Sequence, residues 1–356
     1  MKIGSHIIGR GNPCFVIAEA GANFRISENY DENFKHALKL IDIASEGGAD
    51  AVKFQIYRAS KLYVKNAGFA DYIGKKKSIY DIIQEMEVPY EWLHKLKKYC
   101  DKKDIMFSAT PFDMQSADEL EKVGMQFYKI ASYSLTDFPL LKHVAKKGKP
   151  IILSTGTSSF KDIQDAVNYI KKCGNDQIIL LQCTAKYPAP LNTINLNVIK
   201  TLKEKFDLPV GFSDHSREPF IAPLGAVALG AAVIEKHYTT DNNLPGPDHG
   251  FAILPDELKQ MVLMIKQMKN ALGSGEKKVL NEEKELFDFA RHFIYSIKEI
   301  KKGEIFTINN IDTLRPGKTQ HGLEPKYFEE ILGKKALVDI PEQTPIKTEM
   351  IDGDLE

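Results

Sequence analysis

Residues 150–184, PIILSTGTSSFKDIQDAVNYIKKCGNDQIILLQCT, decide the fold. Two short apolar, β-branched runs, PIILST and IILLQCT, flank an amphipathic stretch of helical length from Phe160 to Lys171. Strands this apolar need cover on both faces, and a strand–helix–strand crossover supplies it in a parallel sheet. The same unit recurs on either side. Upstream strand candidates are CFVIAE ending near Glu19, AVKFQ near Gln55, IMFSAT near Thr110 and FYKIAS near Ser132. Downstream are PVGFSDH near His215 and AVIEKH near His237. Helical patterns from Asn33 to Ser45, Tyr90 to Tyr99 and Ser116 to Val123 fall between them. Eight such units ending at about Leu272 suit the roughly 250 residues of a closed (β/α)8 TIM barrel. No Gly-rich dinucleotide fingerprint follows any strand, which weighs against an open doubly wound sheet.

One insertion stands out: residues 57–87 follow the second strand as a long mixed segment with short helical pieces, expected to cover an active site. Beyond Leu272 the run GSGEKKVLNEEKE is polar and highly charged, as a linker is. Short alternating segments broken by Gly and Pro then predict a β-rich domain of about 60 residues. The expected organisation is a catalytic barrel over 1–275, a linker over 276–291 and a small β domain over 292–356. Lys plus Arg and Asp plus Glu each number 48, so no net field favours nucleic acid or an anionic membrane. No stretch has the length of a membrane span or the form of a signal peptide, so a cytoplasmic location is expected. Cys14, Cys100, Cys173 and Cys183 are far apart without a CxxC pair, which predicts reduced thiols rather than a zinc knuckle or a disulfide framework.

The chemistry is carried by polar residues at the C-terminal end of each strand: Glu19; Lys53 and Gln55; Ser108 and Thr110; Lys129 and Ser132. Ser154 and Thr155, Gln182 and Thr184, Ser213 and His215, and Glu235 and His237 continue the series. In a barrel these ends surround one mouth, where active sites of the fold are built. Two lysines with a ring of hydroxyls would hold a multiply charged anion, so a phosphorylated small molecule is implied. The plainer alternative is a structural ring in which Lys53 and Lys129 pair with Glu19 and Glu235. His215 and His237 end adjacent strands and could bind Mn²⁺, Mg²⁺ or Zn²⁺ while leaving positions open, or serve as hydrogen-bonded structural histidines. Asp214, Glu235, Asp248 and His249 are further polar candidates nearby, Asp248 within the Gly- and Pro-stiffened loop LPGPDHG. Arg315 lies in LRPG of the small domain, where a solvated surface role is the simplest reading.

The chain resembles the bacterial sialic acid synthase family, the N-acetylneuraminate synthases and their legionaminate and pseudaminate relatives. FVIAEAGAN, ADAVKFQ, FSATPFD, YKIAS, KPIILSTG, LLQCTAKYP, GFSDHS, ALGAAVIEKHYT, PGPDH, IKKGE and LRPG look like family segments in family order, over almost the whole length. The resemblance implies a TIM barrel joined to an antifreeze-like (SAF, β-clip) domain in a domain-swapped homodimer. It implies condensation of phosphoenolpyruvate with an open-chain N-acylated six-carbon sugar, first N-acetylmannosamine, with release of phosphate. A 2,4-diacetamido-trideoxyhexose is the alternative acceptor. By the same resemblance, His215 and His237 ligate Mn²⁺ or Mg²⁺. Lys53, Thr110, Lys129, Ser132, Ser154 and Ser213 hold phosphoenolpyruvate. Gln55, Tyr187 and Asp248 face the sugar, and Arg315 reaches across the dimer to its N-acyl group. Glu19, Glu235 and Asp248 are the catalytic carboxylates.

Three positions depart from the family pattern. Ser134 stands two places after the serine of KIAS, where an acidic residue is usual, so proton transfer is expected from Glu19, Glu235, Asp248 or metal-bound water. Ala185 replaces an asparagine of some members, and Asn23, Phe24 and Arg25 replace an NHNG-like segment. A metal-dependent aldolase using free pyruvate, and a non-catalytic scaffold for surface polysaccharide assembly, are the competing readings.

Overall fold

The computed structural model describes residues 1–9, 11–69 and 78–355. The chain divides into two compact units, Met1–Gly273 and Ser274–Glu356.

In the first unit a short hairpin, β1 (Lys2–Ile3) with β2 (His6–Ile7), precedes eight strands. These are β3 (Phe15–Gly21), β4 (Ala51–Ile56), β5 (Met106–Pro111), β6 (Tyr128–Ile130), β7 (Ile151–Ser154), β8 (Ile178–Cys183), β9 (Val210–Asp214) and β10 (Val233–His237). They are hydrogen-bonded in the order β5-β4-β3-β10-β9-β8-β7-β6, each pair parallel. β5 and β6 lie side by side without a ladder between them, so the barrel is nearly closed. The expected α/β class and strand set are therefore present.

Successive side chains of a strand point to opposite faces, and here the two faces have different partners. Val16, Ala18, Val52, Phe54, Phe107, Leu153, Leu180, Phe212 and Ile234 pack outward into the main core. The helix Phe160–Lys172 shows how that cover is made. Ser159 and Asp162 form a reciprocal capping box at its start, and Ile163, Ala166, Val167 and Ile170 are its buried side chains. The other face of the strands contributes Phe15, Ile17, Ala51, Phe127, Ile152, Ile179, Leu181 and Val233 to a second cluster together with Ile3 and Ile8 of the hairpin. The N-terminal half of the barrel lumen is thus a packed apolar plug. Gly211 sits within it: a Cβ there would collide with the Val233 carbonyl and come within 2.6 Å of Leu181 Cδ2.

β6 is shorter than the run FYKIAS suggested, because the chain turns out of the sheet after Ile130 and Ser132–Ser134 form a 3-10 turn. The insertion after β4 holds short helices Ala59–Leu62 and Ile79–Glu85. Its expected role as a cover falls partly on residues 70–77, which lie outside the described residues. No helix among the described residues is long and apolar enough to cross a membrane. All four cysteines are free thiols.

The second unit begins with irregular chain, a 3-10 turn Asn281–Glu283 and the helix Lys284–Ala290. Antiparallel β11 (Phe293–Ser296) and β12 (Ile311–Leu314) follow. Isolated bridges such as Ile300 with Ile340 and Ala336 with Ile351 tie the remaining extended chain together. Its core is Ile294, Ile300, Phe306, Ile311, Ile331, Ala336, Ile340, Ile346 and Ile351.

Candidate active site

Two residues above the apolar plug, the inward positions change character. Ile17 gives way to Glu19, Ala51 to Lys53, Phe127 to Lys129, Ile152 to Ser154 and Val233 to Glu235. All four charged side chains are buried, Glu19 at 1% and Lys53 at 3% exposure. Lys53 Nζ lies 2.7 Å from Glu19 and 3.7 Å from Glu235, and Lys129 Nζ lies 3.4 Å from Glu235. The hydroxyls join the same network. Lys53 donates to Thr110 Oγ1 at 2.9 Å, Lys129 to Ser154 Oγ at 2.6 Å, and Ser213 to Glu235 at 3.4 Å.

Burial penalises every charge here, and the neighbours decide which way each group moves. Burial and the Glu235 charge lift the Glu19 carboxyl above its ordinary range against the pull of Lys53. Burial also acts to raise Glu235, but Lys129 and Lys53 overcome it and hold this carboxyl low. Lys53, despite its burial, is held high by Glu19 and Glu235, whereas burial pulls Lys129 down. The structural ion-pair ring is thus built from the side chains expected to hold an anion, with Lys129 the less compensated cation.

Above this layer sit His215 and His237, ring centroids 5.5 Å apart, with the Tyr187 ring 4.3 Å from that of His215. His215 Nδ1 donates to the Thr184 carbonyl at 2.8 Å, which leaves Nε2 as the nitrogen that becomes an acceptor when the ring gives up its proton. Burial would lower this imidazole, but Cys183, its Sγ 3.7 Å from Nδ1, and the Thr184 carbonyl lift it to about 8. His237 is pushed well down by burial and by His215, so it is neutral, and its buried Nδ1 has no hydrogen-bond partner. Asp248 Oδ2 stands 3.7 Å from that nitrogen. Burial and the Glu19 charge push Asp248 up to about 6. Gln55 Nε2 donates to Glu19 Oε1 at 2.9 Å. Gly21, at φ +52°, lets three polar groups converge, since a Cβ there would be 3.0 Å from Asp248 Oδ2 and 3.3 Å from Gln55 Nε2 and Glu19 Oε1. Ser132 Oγ accepts from Gly156 N at 3.0 Å, placing that hydroxyl beside Cys183 and Ala185.

No group of three or more His, Cys, Asp and Glu side chains with metal-holding geometry occurs among the described residues. A neutral His237 with an orphaned buried nitrogen, its ring 5.5 Å from that of His215, nonetheless fits a divalent cation that takes its remaining ligands from water and substrate. A cation there would displace a proton from His215 near neutral pH.

Several expected site residues lie elsewhere. Gln182 faces outward, donating to the Ile194 carbonyl at 2.9 Å, because its neighbours Leu181 and Cys183 occupy the inward positions. Thr184 bonds the Thr193 carbonyl, and Thr155 the Leu181 carbonyl. Asp214 also faces outward, paired at 2.6 Å with Lys236. His249 is buried against Thr239 Oγ1 at 2.6 Å. Arg315 is exposed in the second unit. Ser134 is buried in the turn after β6. The strand-end signal missed Cys183, Asn23, which donates to the Tyr238 carbonyl at 2.8 Å, and Gly21.

A parallel barrel with two lysines, their hydroxyl partners and paired histidines at its C-terminal mouth has the layout of a (β/α)8 enzyme, in which that mouth is where active sites are built. Residues 40–277 match the NeuB family and residues 293–352 the SAF domain, and the chain belongs to the NeuB family. It is 42% identical to the spore coat polysaccharide biosynthesis protein SpsE of Bacillus subtilis, over 97% of this chain and 95% of that one. It is 41% identical to an N,N'-diacetyllegionaminic acid synthase of Campylobacter jejuni, over 93% and 98%. The crystal structure of an N-acetylneuraminic acid synthetase from Leptospira borgpetersenii in complex with citrate matches at 36% identity and a TM-score of 0.72, covering 81% of this chain and 94% of that one. The chain is an enzyme of the synthase type.

Proposed function

We propose that this enzyme condenses phosphoenolpyruvate with an N-acylated amino-sugar aldose to give a nine-carbon, sialic-acid-type 2-keto acid and phosphate. The observation that carries this reading is the convergence of Lys53, Lys129 and their hydroxyl partners directly beneath His215 and His237. The Leptospira relative was crystallised in complex with citrate, a small polycarboxylate, which is in keeping with a relative that binds anions.

In the proposed reaction Lys53 and Lys129 turn from Glu19 and Glu235 to the carboxylate and phosphate of phosphoenolpyruvate, with Thr110, Ser132, Ser154 and Ser213 donating hydrogen bonds. Gln55, Tyr187 and Asp248 hold the open-chain sugar with its aldehyde over the methylene carbon of phosphoenolpyruvate. A divalent cation, Mn²⁺ or Mg²⁺, held by His215 and His237 would polarise that aldehyde as a Lewis acid. The methylene carbon bonds to the aldehyde carbon, and the former carbonyl oxygen takes a proton. Asp248, pushed up to about 6, can carry that proton near neutral pH, the role Ser134 cannot fill, with Glu19, which burial also raises, beside it. Glu235, held as the anion, stabilises the positive charge that develops at the phosphate-bearing carbon. Water then adds there, and the tetrahedral intermediate breaks its carbon–oxygen bond to expel phosphate. The proposed assembly is a domain-swapped homodimer, with Arg315 of one chain reaching the N-acyl group bound by the other.

N-acetylmannosamine is the first acceptor to test. Relatives named for legionaminic acid, and a pseudaminic acid synthase of Campylobacter jejuni at 38% identity, support a 2,4-diacetamido-trideoxyhexose as the second. The test is phosphate release from phosphoenolpyruvate by metal-loaded protein across an acceptor panel, with a chelated control. Release that needs both acceptor and metal is expected. Turnover with free pyruvate in place of phosphoenolpyruvate would make the enzyme an aldolase. Phosphoenolpyruvate binding without release for any acceptor would leave a non-catalytic scaffold for surface polysaccharide assembly.

A further inference from the structure

The outer face of the barrel strands is largely apolar where it packs on the helices, and a fully buried ion pair interrupts it. Asp214 of β9 and Lys236 of β10 are register partners on adjacent strands, both turned outward, with side chains 0% and 1% exposed. Lys236 Nζ donates to Asp214 Oδ2 at 2.6 Å, to Ser216 Oγ at 3.2 Å and to the Glu218 carbonyl at 2.9 Å, and also bonds the Ser216 carbonyl. The other Asp214 oxygen accepts from Ser216 N at 2.8 Å. Glu218 in turn accepts from Phe220 N at 2.9 Å and from Ile221 N. One buried ammonium therefore gathers the whole segment from Asp214 to Glu218, and His215 lies inside it.

The two strands present the opposite side of these same residues to the mouth: Ser213 and His215 flank Asp214, and Glu235 and His237 flank Lys236. A buried ion pair is commonly no more stabilising than an apolar pair of similar volume, so stability alone does not account for two charges on a largely apolar face. We propose that Lys236, with Asp214, is a positioning pair that fixes the His215 segment relative to His237 and so sets the spacing of the two histidines. The inference rests on the metal reading of those histidines only for its affinity arm.

The test is the double variant D214L/K236M, which removes both charges together so that neither is left buried alone, with K236M as the single variant for comparison. Two readouts follow the segment itself. Hydrogen exchange at Ser216, Phe220, Ile221 and at Ala189, whose amide bonds the His215 carbonyl at 2.9 Å, needs no metal. Mn²⁺ affinity by calorimetry needs no turnover. The double variant is expected to melt close to wild type, to exchange at those amides about tenfold faster or more, and to bind Mn²⁺ about tenfold more weakly or worse. Its affinity for phosphoenolpyruvate, held by the far-side lysines, is expected to stay within about threefold. Wild-type exchange in the refolded double variant would overturn the proposal and leave the pair as plain structure. If H215A binds Mn²⁺ as wild type does, the metal reading fails, and hydrogen exchange alone then decides the positioning role.

Discussion

The lower and upper halves of the barrel lumen are built from the same strands and the same strand faces, yet they do opposite jobs. Below, Phe15, Ile17, Phe127, Ile152, Ile179 and Val233 fill the lumen around Ile3 and Ile8. One inward position higher, Glu19, Lys53, Lys129, Ser154 and Glu235 hold polar atoms out of water. Apolar side chains are stabilised by leaving water, whereas charged ones lose solvation and recover it only from each other or from a ligand. The boundary teaches that this barrel separates stability from chemistry along its axis, within a single turn of side-chain alternation.

The largest test of that division is Lys53→Met. It leaves Glu19 and Glu235 without their shared cation, at a cost of about 4 kcal/mol, and phosphate release should fall roughly 1,000-fold in kcat/KM. Activity close to wild type would break the comparison outright. Next, Ile179→Ala in the plug should lower the unfolding free energy by about 3 kcal/mol in denaturant titration. KM for phosphoenolpyruvate should meanwhile stay within about twofold.

Sensitivity to acid should come in part from the loop after β10, outside the lumen. His249 is pushed from 6.5 down to about 4 by burial, with His36 adding to the shift. Between those values the unfolded chain binds the proton that the folded one refuses, so stability is lost as pH falls from 6.5 toward 4. Thermal melts across that window should show His249→Asn recovering about 2 kcal/mol of the loss. The smallest effect expected is Ala185→Asn, which returns an amide beside Ser132. It should lower KM for phosphoenolpyruvate by a factor of about three, since a single hydrogen bond contributes about 1 kcal/mol. An unchanged KM would place the phosphate away from Ala185.

Much of this was legible in the chain. The run from Pro150 to Thr184 specifies a parallel unit because its strands are apolar on both faces and its helix is amphipathic, and both patterns are local. Lys53, Lys129, Glu19, Glu235, His215 and His237 converge because they end strands at inward positions. Strand-end position by itself over-reached at Thr155, Gln182 and Thr184, and the nearby candidate Asp214 also turns outward. Counting by twos from Ile179 would have turned Gln182 outward. No such count reveals that Asp214 meets Lys236, since that pairing depends on which strands become neighbours.

The sequence by itself determined the class of fold, the second unit's separateness and the polar residues at the strand ends from which the mouth could draw. Those follow from periodicity, composition and turn residues, which act over a few positions. Tertiary structure alone decided that β10 closes against β3, bringing His237 level with Glu19, and that Lys53 serves two carboxylates at once. It also decided that Asp248 leans toward His237 at 3.7 Å. Distances of a few ångströms between residues far apart in the chain are set by strand order, register and packing, and side chains that meet only through barrel closure leave no mark in local spacing.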